Sequence, residues 1–424
     1  MKRLWSSSGS VAISRIVRRG IRQKRPVLEP SPSAANAPVE WLKESTTYAD
    51  THSAVVDPYT KSPYPDEDIE ELLRKGEAQS SKSSAYKKWV AERHKKRKIF
   101  QLNFDHIPIE EQIVALFPGQ GAQHVGMGSK LSECPEACRV YDEASEILGY
   151  DIKKLCLEGP KSKLDQTIYC QPAVFVSSMA ALELAKSTKN SFMDRVTDTA
   201  GFSVGEYAAL VLAGVISFQD ALRLVNTRAK LMHECNQRIA SGMVTVRVSA
   251  ASRLDEAMAD ARELASEKGE EPICEIANFL FCGVKVVGAS NTCLKFLEDN
   301  QERYAFQVVK RLAVSGAFHT RLMNDAIEPM RDALRGVELS APRVNIYANY
   351  TGKIYGRKLA RIRDNLIKQI SSPVKWEQIL QLLYRKHQDY KFPTYMEIGP
   401  GRQLGAMLVQ VSKKAYKHYE NIAP

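Results

Sequence analysis

Ser203 lies between two glycines in "GFSVGEYAALVLAG", the pattern G-x-S-x-G. After a strand and before a helix, that pattern is a nucleophile elbow. The glycines let strand and helix meet around a tight turn. The first turn of the helix offers free N–H groups and the positive end of its dipole, which suits an oxyanion. A serine hydroxyl becomes a competent nucleophile only when a base takes its proton. Five histidines follow residue 112: His124, His233, His319, His387 and His418. His319, in "SGAFHTRLM", stands between an apolar strand and an amphipathic helix, where catalytic side chains emerge. His124, close behind the loop "FPGQGAQ", is the rival base. That loop lacks the G-K-[ST] ending of a phosphate loop and the spacing of a dinucleotide fingerprint. It offers backbone N–H groups at a strand end. Arg228 is a cation that would hold a carboxylate if it faced a pocket. Its spacing on a basic helix favours a surface position.

These residues need an α/β frame. "IVALFPGQGAQ" reads as a buried strand entering a Gly-rich loop, and "DTAGFSVGEYAALVLAG" as strand end, turn and helix. "SFQDALRLVNTRAKLMHECNQ" is an amphipathic helix opened by Ser217. From about residue 240 the texture changes. "MVTVRVS" alternates as a strand, and the order strand-helix-strand-strand-helix-strand continues to about 310. That is the order of a ferredoxin-like unit. The expected organisation is a core at 112–239 and 311–412, an inserted ferredoxin-like subdomain at 240–310, and a tail at 413–424. The core is expected to be hydrolase-like, with a parallel sheet.

The formal charge of +11 over 424 residues is unevenly placed. Residues 1–100 hold 20 Lys/Arg against 12 Asp/Glu, and the remainder 40 against 37. A nucleic-acid role for the core therefore loses its support. Residues 1–28 carry eight Arg/Lys, no acid and a Ser-rich stretch. Wound as a helix, they put Ile13, Ile16 and Val17 opposite Arg15, Arg18, Arg19 and Arg22. That is the composition of an organelle transit peptide, with a disordered basic tail as the alternative. Residues 29–111, rich in Pro, Ser and charge, read as a largely irregular linker. No uninterrupted apolar run is long enough to span a membrane. The eight cysteines lack metal-ligand spacing, and no metal is expected.

Six ordered motifs, "FPGQGAQ", "GFSVGEYAAL", Arg228, "GAFHTRLM", "SSPVKW" and "EIGPGRQLGAM", resemble the malonyl-CoA:acyl carrier protein transacylases, an acyltransferase family. The basic leader is similar to that of mitochondrial members. The resemblance covers about residues 112–412. It implies that Ser203 accepts the acyl group and His319 is the general base. It implies that a backbone carbonyl at Gln369 orients His319, and that the N–H groups of Gln120 and Val204 form the oxyanion hole. Arg228 would pair with the malonyl carboxylate, Phe318 would crowd an α-methyl branch, and Asn278 would lie near the pocket. The implied reaction moves malonyl from CoA to the phosphopantetheine thiol of acyl carrier protein. It would do so through a malonyl-serine and feed fatty-acid synthesis in the mitochondrial matrix. No bound cofactor, no nucleic acid, no membrane insertion and a monomer are expected. Lys310, Arg311 or Arg321 would form a docking patch for an acidic carrier. Phe202 departs from the family, in which many members have His before the nucleophile. The alternative is a thioesterase or hydrolase of the α/β-hydrolase type. That would need an acid between Ser and His in chain order, such as Asp220 or Glu275.

Overall fold

The computed structural model describes residues 101–130, 134–314 and 316–424. The expected transit peptide at 1–28 and the linker up to residue 100 lie outside the described residues.

Two sheets organise the chain. The first has the order β11 (Tyr419–Ile422), β10 (Thr394–Ile398), β1 (Ile113–Phe117), β2 (Val196–Gly201), β7 (Asn345–Ala348), β8 (Lys353–Ile354). Its neighbours are parallel except β7 and β8, which are antiparallel. The run "IVALF" is apolar throughout because β1 is buried on both faces, as central parallel strands are. Ile113, Ala115 and Phe117 join one core cluster, and Val114 and Leu116 another.

The helices of eight residues or more are α1 (Pro135–Leu148), α2 (Thr167–Thr188), α3 (Gly205–Leu212), α4 (Phe218–Asn236) and α5 (Leu254–Glu267). They continue with α6 (Asn291–Asn300), α7 (Ile327–Arg335), α8 (Leu359–Gln369), α9 (Trp376–Tyr384) and α10 (Gln403–Val411). Helices α1 to α4 contribute to the core on one face of the first sheet. Helices α9 and α10 pack on the other through Trp376, Ile379, Leu380, Leu404 and Leu408. Among the described residues, α2 alone is long and apolar enough to cross a membrane, and it lies mostly buried inside the protein.

The second sheet has the order β6 (Gln307–Arg311), β3 (Ser241–Arg247), β5 (Val284–Ser290), β4 (Cys274–Phe281), β9 (Val374–Lys375). The first four pair antiparallel, and β9 adds parallel to β4. Val244 and Val246 face α5 and α6, while Met243, Ala277 and Val286 face the main core. The second sheet thus packs on the main core through one of its faces.

Three expectations shift. Residues 419–422, read as tail, form strand β11, and the Gly399 N–H donates to the Ile422 carbonyl at 3.0 Å. Four residues are too short for a period-two signal, and the neighbouring strand supplies the pairing. Residues 101–111, read as linker, are tied to the core: the Leu102 N–H donates to Asn345 Oδ1 at 2.8 Å, and Phe104 packs on the core. The strand expected to lead into His319 stops at Arg311 because β6 is an exposed edge the chain leaves early.

Candidate active site

The site sits where β1, β2 and β7 end, at the carboxyl edge of the parallel sheet. Strand β2 ends at Gly201 and α3 starts at Gly205. A Cβ at 201 would lie 1.9 Å from the Gly205 carbonyl oxygen, and one at 205 would lie 2.4 Å from that of Phe117. Only glycine lets the two strands and the helix approach so closely.

Between them Ser203 adopts φ +53°. A left-handed conformation costs an L-residue about 1 kcal/mol or more. Neighbouring hydrogen bonds hold it. The Ser203 N–H donates to Asn349 Oδ1 at 2.7 Å, and Asn349 Nδ2 donates to the Gly201 carbonyl at 2.7 Å. The loop after β7 thus clamps the turn from both sides.

His319 also has a positive φ, +60°. Its Nε2 lies 2.8 Å from Ser203 Oγ, and its Nδ1 lies 2.8 Å from the Gln369 carbonyl oxygen. A carbonyl can only accept, so Nδ1 carries the proton. Nε2 is then free to accept from the serine hydroxyl. His124 is exposed and turns to the Ala122 carbonyl. The Asp220 carboxylate accepts from the hydroxyl of Ser217, the N-cap of α4, and Glu275 accepts from the Arg321 N–H. Neither acid supports His319, which removes the acid the hydrolase alternative needs.

Arg228 is fully buried, against the surface position its spacing favoured. Helix α4 is enclosed on that side by α2, which no local pattern reveals. Its Nη1 donates to Gln171 Oε1 at 2.6 Å, and its Nη2 to Gln369 Oε1 at 2.9 Å and Ser203 Oγ at 3.0 Å. Its Nε has no partner among the described residues. Ser203 Oγ therefore accepts from Arg228 while donating to His319. Burial and the Arg228 charge push the His319 ring down to about 3, so it stays neutral at physiological pH.

Glu206 lies fully buried behind these groups. It receives Gln369 Nε2 at 2.8 Å, the Asn349 N–H at 3.3 Å and the Tyr355 hydroxyl. Burial outweighs these donors and raises its carboxyl to about 7. The N–H groups of Gln120 and Val204 have no acceptor among the described residues. Phe318 is buried in the core cluster. Asn278, on β4 opposite Val286 and Val374, is buried with Oδ1 unpartnered among the described residues. No hydrogen bond ties it to Ser203, His319 or Arg228. Phe202 stacks edge-on against Trp376 at 5.5 Å.

Gln171, Glu206, Asn349, Tyr355 and the Gln369 side chain join the site through contacts that no sequence motif marks. One signal was visible: Glu206 is a lone acid opening the apolar run of α3. Among the described residues, no cluster of His, Cys, Asp or Glu could hold a metal ion.

The acyl transferase domain family model matches residues 114–423. The human protein named malonyl-CoA-acyl carrier protein transacylase, mitochondrial, is 42% identical over 310 residues, covering 73% of this chain and 79% of its own. A Drosophila melanogaster protein named as a probable mitochondrial enzyme of that kind is 43% identical, with 74% and 83% covered. A crystal structure of a malonyl-CoA:acyl carrier protein transacylase from Xanthomonas oryzae superposes with TM-score 0.65 at 30% identity, covering 74% and 96%. A malonyl-transacylase solved in complex with a type II polyketide acyl-carrier protein superposes with TM-score 0.63 at 29% identity, covering 73% and 94%.

Proposed function

This chain belongs to the acyl transferase domain family, among the malonyl-CoA-acyl carrier protein transacylases, and from that premise we propose that it moves a malonyl group from CoA to acyl carrier protein through Ser203. The observation that carries the reading is the single oxygen shared by His319 and Arg228: a base at 2.8 Å and a buried cation at 3.0 Å.

His319 Nε2 takes the serine proton as Oγ attacks the thioester carbonyl. The N–H groups of Gln120 and Val204 receive the oxyanion, each donor contributing about 3–4 kcal/mol. His319 then protonates the CoA sulfur as the C–S bond breaks. In the second half the phosphopantetheine thiol attacks the malonyl-serine, and the same base works in reverse.

Arg228 pairs with the malonyl carboxylate. An acetyl group leaves that buried charge uncompensated, which disfavours it. The charge also matters for the base. Burial first, and the bare Arg228 charge second, make His319 resist protonation. A carboxylate beside Arg228 offsets that repulsion as the imidazolium forms. Selection for malonyl thus reaches the chemical step as well as binding. Phe318 narrows the pocket against α-branched acyl groups, and Asn278 lines it from the insertion.

We read residues 112–239 and 311–412 as a hydrolase-like core and 240–310 as a ferredoxin-like insertion. The antiparallel order β6-β3-β5-β4 supports the latter. Lys310 and Arg311, on the edge strand, are our candidates for the carrier-protein surface. Arg321 is the weaker candidate, since it already engages Glu275 and the Pro272 carbonyl. The basic leader and relatives named as mitochondrial support a matrix location and a role in fatty-acid synthesis there. A monomer needing no bound cofactor is the expected working form.

The test is intact-mass spectrometry after brief mixing with malonyl-CoA, beside acetyl-CoA and Ser203→Ala. A malonyl adduct on the wild type alone, discharged by phosphopantetheinylated carrier protein, is the expected result. Free malonate without transfer would point to a hydrolase instead.

A further inference from the structure

We propose that Glu206 is a positioning residue for acyl selection: through the Gln369 side-chain amide it holds Arg228 where the incoming carboxylate meets it. The inference rests on the transfer reading above.

Gln369 uses every polar atom of its side chain. Nε2 donates to the Ser203 carbonyl at 2.8 Å and to Glu206 Oε2 at 2.8 Å, while Oε1 accepts from Arg228 Nη2 at 2.9 Å. A half-turn of the amide would set its oxygen against two acceptors and its NH₂ against a guanidinium. Glu206 supplies one of those two acceptors, and its charge makes it the stronger. The same glutamine's backbone carbonyl orients His319. One residue therefore touches the nucleophile's backbone, the base and the cation, and Glu206 decides which way it faces.

The carboxylate is held in turn. The Asn349 N–H lies 3.3 Å from each oxygen, and the Tyr355 hydroxyl donates to one of them. Asn349 is also the residue that clamps Ser203. Segments after β7, after β8 and at the end of α8 thus converge on one side chain in the first turn of α3. Arg228 has no carboxylate in contact. Its acceptors are two amide oxygens and a hydroxyl, all neutral, so its orientation depends on those amides staying fixed.

Glu206→Gln keeps the shape of this side chain. It places an NH₂ among three donors: the Asn349 N–H, the Tyr355 hydroxyl and the Gln369 NH₂. The Tyr355 hydroxyl can rotate to accept from that NH₂, so Gln369 Nε2 then meets a neutral amide oxygen in place of a carboxylate, and the Gln369 amide is held less firmly against Arg228. Positioning and simple electrostatics then predict opposite signs. A misplaced Arg228 weakens malonyl selection. Removal of an anion behind a correctly placed Arg228 strengthens it.

Acyl-serine formation by the full chain would be followed by intact mass at about pH 8, above the value of about 7 to which burial raises the carboxyl. Wild type, Glu206→Gln and Gln369→Leu would be compared with malonyl-CoA and acetyl-CoA, together with the double variant. We expect Glu206→Gln to lower the malonyl-to-acetyl ratio of kcat/KM by about tenfold, carried mainly by the KM for malonyl-CoA. Acetyl loading should change by no more than about twofold. Gln369→Leu removes the relay but keeps the backbone carbonyl for His319. It should lower the ratio similarly, and the double variant should add little. An unchanged ratio in Glu206→Gln would make the residue merely structural, and a raised ratio would make it a charge-tuning group. Either overturns the inference. If Glu206→Gln does not fold, Gln369→Leu decides, and an unmoved ratio there overturns it as well. A wild type that takes no malonyl at all would remove the transfer reading and this inference together. A normal malonyl adduct with an unmoved ratio would remove this inference alone.

Discussion

Buried charge lies on strand β2 and again beyond its carboxyl end, handled in opposite ways. On the strand, Asp198 is fully buried and receives the Thr197 hydroxyl at 2.7 Å, the Tyr347 hydroxyl at 3.1 Å and the Lys386 ammonium directly. Lys386 also donates to Thr197 Oγ1 at 2.7 Å. Past its end, Arg228 and Glu206 are equally buried but never touch, because the Gln369 amide stands between them. The rear cluster is closed, with cation against anion. The front cluster is open: the cation has only neutral acceptors and a spare N–H. A closed pair serves stability and leaves nothing for a ligand. A separated pair keeps a charge available, at a cost that an arriving carboxylate offsets.

Substitutions in the two clusters should therefore fail differently. The largest effect belongs to Ser203→Ala, which should cut carrier-protein loading by about 10⁴-fold or more in a radiolabel transfer assay. Its urea midpoint should barely move. A variant retaining a tenth of wild-type turnover would remove Ser203 from the chemistry. Next, Arg228→Ala should reduce the malonyl-to-acetyl ratio by about 100-fold, since a built polar contact discriminates strongly. Its melting temperature should fall only modestly, because losing a buried charge without a counter-ion offsets part of the cost of the cavity and of two stranded glutamine oxygens. A sharp fall in stability with selectivity intact would make the front cluster another structural lock.

Lys386→Met is the rear counterpart. It strands Asp198 and should cost about 2–3 kcal/mol in urea unfolding, discounted because the lysine side chain is 19% exposed. Its malonyl-to-acetyl ratio should match wild type, and any drift in that ratio would blur the contrast between the two clusters. The smallest effect is in pH. His319 has its folded value depressed to about 3 from an ordinary 6.5. Its neutral, basic form thus persists below pH 6.5, and the acid limb of malonyl loading should lie well under that value. A limb centred on 6.5 would mean that the buried site admits more water than its packing suggests. The same shift sets a sign for stability. As pH falls below 6.5 the unfolded chain gains a proton that the folded chain refuses, so stability declines on that side.

The elbow was readable because its constraint is local. Gly201 and Gly205 are required by backbone contacts within a few residues, and a three-letter spacing records them. His319 could be singled out by its place between a strand and a helix, but not set above His124, and its contacts with Ser203 and the Gln369 carbonyl were implied only by the resemblance, since His319 and Gln369 are separated from Ser203 by 116 and 166 residues. Arg228 shows the limit of periodicity. Helix α4 carries polar residues on several sides, and nothing in its own sequence says which side α2 will cover. The partners of the Gln369 amide were invisible for the same reason, because an amide in an amphipathic helix looks like solvated surface. Strand β11 is not legible in the sequence because four residues acquire strand geometry only from the neighbour they pair with.

By itself the sequence determined the apolar strands, the glycine-bounded serine, the helix that follows it and the alternating run of β3. These depend on steric and hydropathic rules that act over a few residues. The tertiary structure decided which histidine meets the serine, which arginine loses its water, and that a glutamate behind the elbow faces that arginine across an amide. Those outcomes turn on burial and on hydrogen-bond partners from distant segments. Desolvation is set by what the rest of the chain covers, and no local window of residues contains that information.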